Sequence, residues 1–143
     1  MQKNARFAIA FGCMAAVLAL GALDVRAQYA DVTSLSCELR SCTSKPGTVC
    51  PDVGSFLRIT IDLDHARARG GNVPEWVEAS IEPDFVTFSR NVVDATGMDR
   101  QSYSVNRSSL TMSWRWLTTP AGSPEASVDA SAQYQCRLVH PQF

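Results

Sequence analysis

The chain has 143 residues, 45% of them hydrophobic and 19% charged, with 13 Lys+Arg against 14 Asp+Glu. That balance leaves no basic field and excludes nucleic acid as an expected partner, because affinity there rests on many neutralised phosphates. The length suits one domain with a real core.

Residues 1–27 read as an export signal and are set aside before any fold reasoning. Lys3 and Arg6 make a short basic start, and Phe7 to Leu23 is apolar throughout. Val25 and Ala27 are small enough for the pockets of a signal peptidase, which places cleavage after Ala27 and the new terminus at Gln28. The apolar run of about 17 residues is shorter than the ~20 a membrane helix needs, and a retained anchor is the competing reading. Cys13 follows Ala10-Phe11-Gly12, a poor lipobox, and reads as part of the signal. Losing Lys3, Arg6, Asp24 and Arg26 leaves one domain, residues 28–143, with a net charge of about −3. No later apolar run is long enough for a second span, so the expected location is periplasmic or secreted.

The domain opens with Cys37, Cys42 and Cys50, and Cys136 lies near its end. An even set of cysteines in an exported chain reads as disulfides. Between Cys42 and Cys50 the segment Lys45-Pro46-Gly47-Thr48 has the chemistry of a type II turn, with proline fixing φ and glycine accepting positive φ. That turn favours Cys42–Cys50 and leaves Cys37 for Cys136. Paired zinc knuckles and a C-x-x-C redox motif are both missing, so no metal or cofactor is expected.

Period-2 alternation runs through most of the domain. Leu35, Cys37 and Leu39 share one face of a first strand. Leu57, Ile59, Ile61 and Leu63 share one face of a second, the clearest strand signal in the chain. "HARARGGN" then reads as a polar turn punctuated by Gly70-Gly71. The segment from Asn72 to Asp84 fits a short helical face or a strand, and a strand broken at Pro83-Asp84 is preferred. Phe85–Arg90 and Ser102–Val105 read as strands about a turn at 94–99. Leu110, Met112, Trp114 and Trp116 share one face of a further strand, opposite Thr111, Ser113 and Arg115. Residues 118–127 read as a loop. Ala132, Tyr134, Cys136 and Leu138 form the inward face of the last strand. The expected fold is all-β: an antiparallel meander or small sandwich of six to seven short strands, stapled by two disulfides.

Tyr103, Val105, Asn106, Arg107 and Cys136 give a pattern that resembles small exported bacterial β-proteins of unknown function, with Tyr-x-Ile/Val-Asn-Arg, a turn, a strand and a late cysteine. The likeness covers about 35 residues and implies no activity. Ser108-Ser109-Leu110 departs from the Thr-Gly that usually follows.

Candidate chemistry is sparse. Asp62 and Asp64 fall on one side of a strand, beside His65, where both carboxylates could reach a cation or serve a small hydrolase; a solvated strand end is the competing reading. No G-x-S-x-G is present, and neither His65 nor His140 suggests a triad. Trp76, Trp114 and Trp116, with Arg115 between the last two, are the candidate binding residues, since aromatic faces stack on sugars and anchor partners. Core packing competes for Trp114 and Trp116, which share parity with Leu110 and Met112. Asn106-Arg107-Ser108 matches a glycosylation sequon in an expected turn. Phe143 raises an outer-membrane barrel, which Pro141 and the short strands argue against, since the smallest such barrels need about eight strands of ~9–11 residues. The expected role is non-catalytic: binding another protein or an envelope component. A small hydrolase and a carbohydrate-binding module are the alternatives.

Overall fold

The computed structural model describes residues 32–139. The export signal with Cys13, the start at Gln28, and His140, Pro141 and Phe143 lie outside the described residues. Eight strands follow one another: β1 (Val32–Ser44), β2 (Phe56–Asp62), β3 (Arg67–Gly70), β4 (Val73–Ile81), β5 (Phe85–Asp94), β6 (Gly97–Asn106), β7 (Thr111–Pro120) and β8 (Ser127–Leu138). Each pairs antiparallel with the next, and β8 pairs back onto β1, closing an up-and-down barrel.

The all-β, antiparallel, doubly stapled expectation holds, and the strand count and open architecture are corrected. The strand read as a turn is β3. It is only four residues long, and Ala68 is its one inward apolar side chain, so no alternation betrays it. Closure differs for another reason. It depends on pairing the first strand with the last, which no local pattern reports. The expectation of short strands is corrected too, since six of the eight run nine residues or more, so neither the strand-count nor the strand-length argument against a membrane barrel stands. The face pattern supplies a different one, because transmembrane barrels carry an apolar outer band. Here most apolar side chains turn inward, and those left exposed on the strands, such as Phe56, Val93, Val128 and Leu138, are scattered over β2, β5 and β8.

The alternation builds the interior directly. Leu35, Leu39, Ile59, Val73, Val86, Val105, Met112 and Cys37 are fully buried. Each buried aliphatic side chain of this size contributes about 1.5–3 kcal/mol relative to exposure. Phe88 and Tyr103, cross-strand neighbours, stack with ring centroids 4.9 Å apart. Trp114, Ala132, Tyr134 and Cys136 complete the core from β7 and β8.

Both expected disulfides are present. Cys37 and Cys136 face each other in register across β1 and β8 and are bonded, with Cα atoms 3.9 Å apart. Cys42–Cys50 closes the loop after β1. Inside that loop Thr48 N–H donates to the Lys45 carbonyl at 3.1 Å, and Gly47 has φ +88°, as the sequence predicts for a type II turn.

The barrel has two unlike ends. One carries the 45–55 loop and the turns at 71–72, 95–96 and 121–126. The other carries the turns at 63–66, 82–84 and 107–110 and both ends of the described chain, tied by a Val139 N–H bond to the Ser34 carbonyl at 2.8 Å.

Candidate functional site

Because alternate residues of each strand point outward, the register stacks outward side chains into rungs across the wall. One rung runs Ser41, Gln133, Ser113, Ser104, Thr87, Ser80. The next runs Thr43, Ser131, Arg115, Ser102, Ser89. Thr43 and Ser131 hydroxyls hydrogen-bond at 2.9 Å. Small side chains at the middle of these rungs leave a groove of about 700 Å³ over β4–β7, edged by Glu78, Arg100 and Arg115. Arg100 lies opposite Leu117 while Arg115 lies opposite Ser102, so the two arginines are diagonal neighbours on the outer face. Among the described residues neither arginine has an ion-pair partner.

The tryptophans separate. Trp114 turns into the barrel and is 6% exposed. Trp116 is half-buried on the same inward parity, and its indole N–H and the Oε1 of its cross-strand partner Gln101 are both buried without hydrogen bonds. Trp76 sits on the outer wall, half-buried, with the guanidinium groups of Arg67 and Arg69 at 4.7 and 4.6 Å from its ring centre. Of the four binding candidates, the groove gathers only Arg115. The serines and Arg100 were missed because isolated serines in alternation read as an ordinary wet face. Their meaning comes from the cross-strand register.

Asp62 is buried, 2% exposed, although it lies on the outward parity. Arg67 Nε donates to its Oδ2 at 2.8 Å, and His65 Nδ1 lies 3.0 Å from each carboxylate oxygen. The His65 hydrogen bond, aided by Arg67, holds the Asp62 carboxyl below its ordinary range despite the opposing effect of burial. Asp62 and Asp64 line neither the groove nor the two end cavities, and Asp64 has an interaction of its own. Among the described residues no group of three His, Cys, Asp or Glu side chains gathers as a metal site would require.

A second buried carboxylate, Asp129, lies at the β7–β8 bulge. Burial raises its pKa, but hydrogen bonds from Lys45, Thr118 and Ser127 outweigh it and the net direction is down. Lys45 Nζ reaches Asp129 Oδ1 at 2.5 Å, and Ser127 Oγ donates to the same oxygen at 3.1 Å. This cluster fastens the 45–55 loop to the barrel.

The resemblance residues have structural tasks. Tyr103 and Val105 are core. Asn106 Oδ1 accepts from the Ser108 and Ser109 N–H groups at 3.0 and 2.9 Å, shaping the β6–β7 turn that holds the sequon. Arg107 donates to the Glu82 carbonyl at 3.0 Å, bracing the neighbouring turn.

At the long-loop end a cavity of about 210 Å³ opens among Leu57, Phe56, Tyr103, Trp114 and Tyr134. An apolar hollow of about 180 Å³, lined by Leu35, Ile61, Val86, Val105 and Leu110, opens at the other end. Comparison of the chain with protein-family models, with curated proteins and with solved structures found no match.

Proposed function

We propose that the protein is an exported, non-catalytic binding domain, periplasmic or secreted, that engages an envelope component or another protein through its outer wall. The observation that carries this reading is the hydroxyl-lined groove over β4–β7 with Arg100 and Arg115 side by side and, among the described residues, without an ion-pair partner. Two guanidinium groups on a field of serines offer charge-assisted, bidentate hydrogen bonds to carboxylate or phosphate groups and neutral hydrogen bonds around them. The two disulfides are compatible with an oxidising, extracytoplasmic location. A hydrolase reading finds less support, since Asp62 is already committed to His65 and Arg67. The carbohydrate reading through Trp76 meets a ring already contacted by two arginines.

The test is co-sedimentation of oxidised protein with isolated envelope material. Wild type should be retained and released by salt, and the Arg100→Ala/Arg115→Ala double variant should lose at least about tenfold in affinity, as expected for removing two charge-assisted contacts. Equal retention of both proteins would refute the outer wall as the interface.

A further inference from the structure

The cavity at the long-loop end is made by the meeting of three buried aromatic side chains. Tyr103 comes from β6, Trp114 from the facing position of β7, and Tyr134 from β8. Gly71 sets the position of the Tyr103 hydroxyl. A Cβ at residue 71 would stand 2.6 Å from Tyr103 Oη, so only glycine lets the phenol reach this end of the barrel. Asn72 N–H then donates to Tyr103 Oη at 3.1 Å, which leaves the phenolic proton available to donate onward. Trp114 is nine-tenths buried, and its indole N–H makes no hydrogen bond of normal geometry. It does approach the Tyr103 hydroxyl, where it opposes the effect of burial on that phenol. Burial raises the pKa of both Tyr103 and Tyr134, so both phenols are protonated donors at neutral pH.

The walls decide the class of occupant. They are Leu57, Pro51 and the three aromatics, with Ser55, Gly71, Asn72 and the exposed Phe56 at the rim. No charged side chain lines the cavity, so an ion entering it would lose water without gaining a counter-charge. An apolar cavity of about 150 Å³ accepts benzene, and this one, at about 210 Å³, admits one ring or two fused rings. Flat walls favour a flat guest. The poorly satisfied indole N–H and the phenolic O–H donors favour an acceptor on it.

We propose that this end of the barrel is a binding site for a small, neutral, planar aromatic molecule bearing a hydrogen-bond acceptor, seated among Tyr103, Trp114 and Tyr134. The site lies on the opposite face of β6 and β7 from the outer groove, and the two share Tyr103 alone among their lining residues.

The test is a titration of isotope-labelled, oxidised protein at neutral pH, followed by amide and indole N–H resonances. Quinoline is the neutral two-ring acceptor, naphthalene the same shape without an acceptor, and 2-naphthoate the anion. Quinoline should saturably shift the Trp114 indole resonance, with naphthalene and 2-naphthoate each about tenfold weaker. Trp114→Phe should bring quinoline down to the affinity of naphthalene. Should that core variant fail to fold, Ser55→Trp, at an exposed rim position, fills the entrance and should abolish binding while leaving the rest of the spectrum intact. The Arg100→Ala/Arg115→Ala variant should bind quinoline as wild type does. The proposal is overturned by absence of a saturable Trp114 shift with quinoline, by tighter binding of the anion, or by unchanged quinoline binding in folded Ser55→Trp.

Discussion

The barrel is closed by two very different stretches of wall. At the β8–β1 seam, pairing runs from Leu35↔Leu138 to Ser44↔Ala130, and a disulfide joins Cys37 to Cys136 within it. At β3, four residues span the gap between β2 and β4, with only Ala68 contributing to the core. The seam is held by a long ladder and a covalent bond. The thin side is held from outside, where Asp62, His65, Arg67, Arg69 and Trp76 interlock over the outer face. Where a strand is too short to hold itself by backbone pairing and apolar burial, outward side chains supply the missing cohesion.

The largest effect should come from the seam. Replacing Cys37 and Cys136 together by alanine frees a loop of sequence separation 99, worth about 4–5 kcal/mol in the chain-entropy description, read as a fall in unfolding free energy in urea. Loss of the Cys42–Cys50 link, of separation 8, should cost about 2–3 kcal/mol in the same assay. Equal costs for the two would contradict the special standing of the seam.

The thin wall is next. Gly70 has φ +133°, and a Cβ there would lie 2.1 Å from the Arg58 carbonyl oxygen on β2. Gly70→Ala should therefore cost about 1–3 kcal/mol, checked by thermal melting. Asp62→Asn should lower stability at neutral pH and change its pH dependence. The Asp62 carboxyl is held below its ordinary value of 3.8, so its contribution is fully present above that value and is lost as pH falls through the depressed folded pKa. Wild type should lose stability on acidification below about pH 4, and Asp62→Asn should lose less over the same interval. An identical acid limb in both proteins would remove Asp62 from this role. The smallest effect belongs to Arg69→Gln, which removes one guanidinium from Trp76 and should cost about 0.5–1 kcal/mol.

The same contrast explains what could be read in the sequence. Alternation such as Leu57-Ile59-Ile61 reports burial on one face, and it located most strands. β3 has one buried apolar residue and two arginines, so its signal is that of a turn. The cysteines carried long-range information that the strands did not. Pro46-Gly47 favoured one short link, and the leftover pair joined the two strands that close the barrel. That pairing could have suggested closure, since it places β1 beside β8. The groove was illegible because Ser80, Thr87, Ser104 and Ser113 acquire meaning only as one rung. Trp114 was legible as an inward side chain. That it would line an open cavity was not, because Gly71 and the 45–55 loop define that space from elsewhere in the chain.

Closure by the first and last strands also sets the order of events during folding. β1 can find β2 early, but its other edge waits for β8, the most distant partner in sequence, and such non-local pairing slows folding. Until then both edges are open to other chains. Removing β8 would therefore not trim the molecule. It would turn a ring into an open sheet, with Cys37 left as a free thiol on its exposed edge.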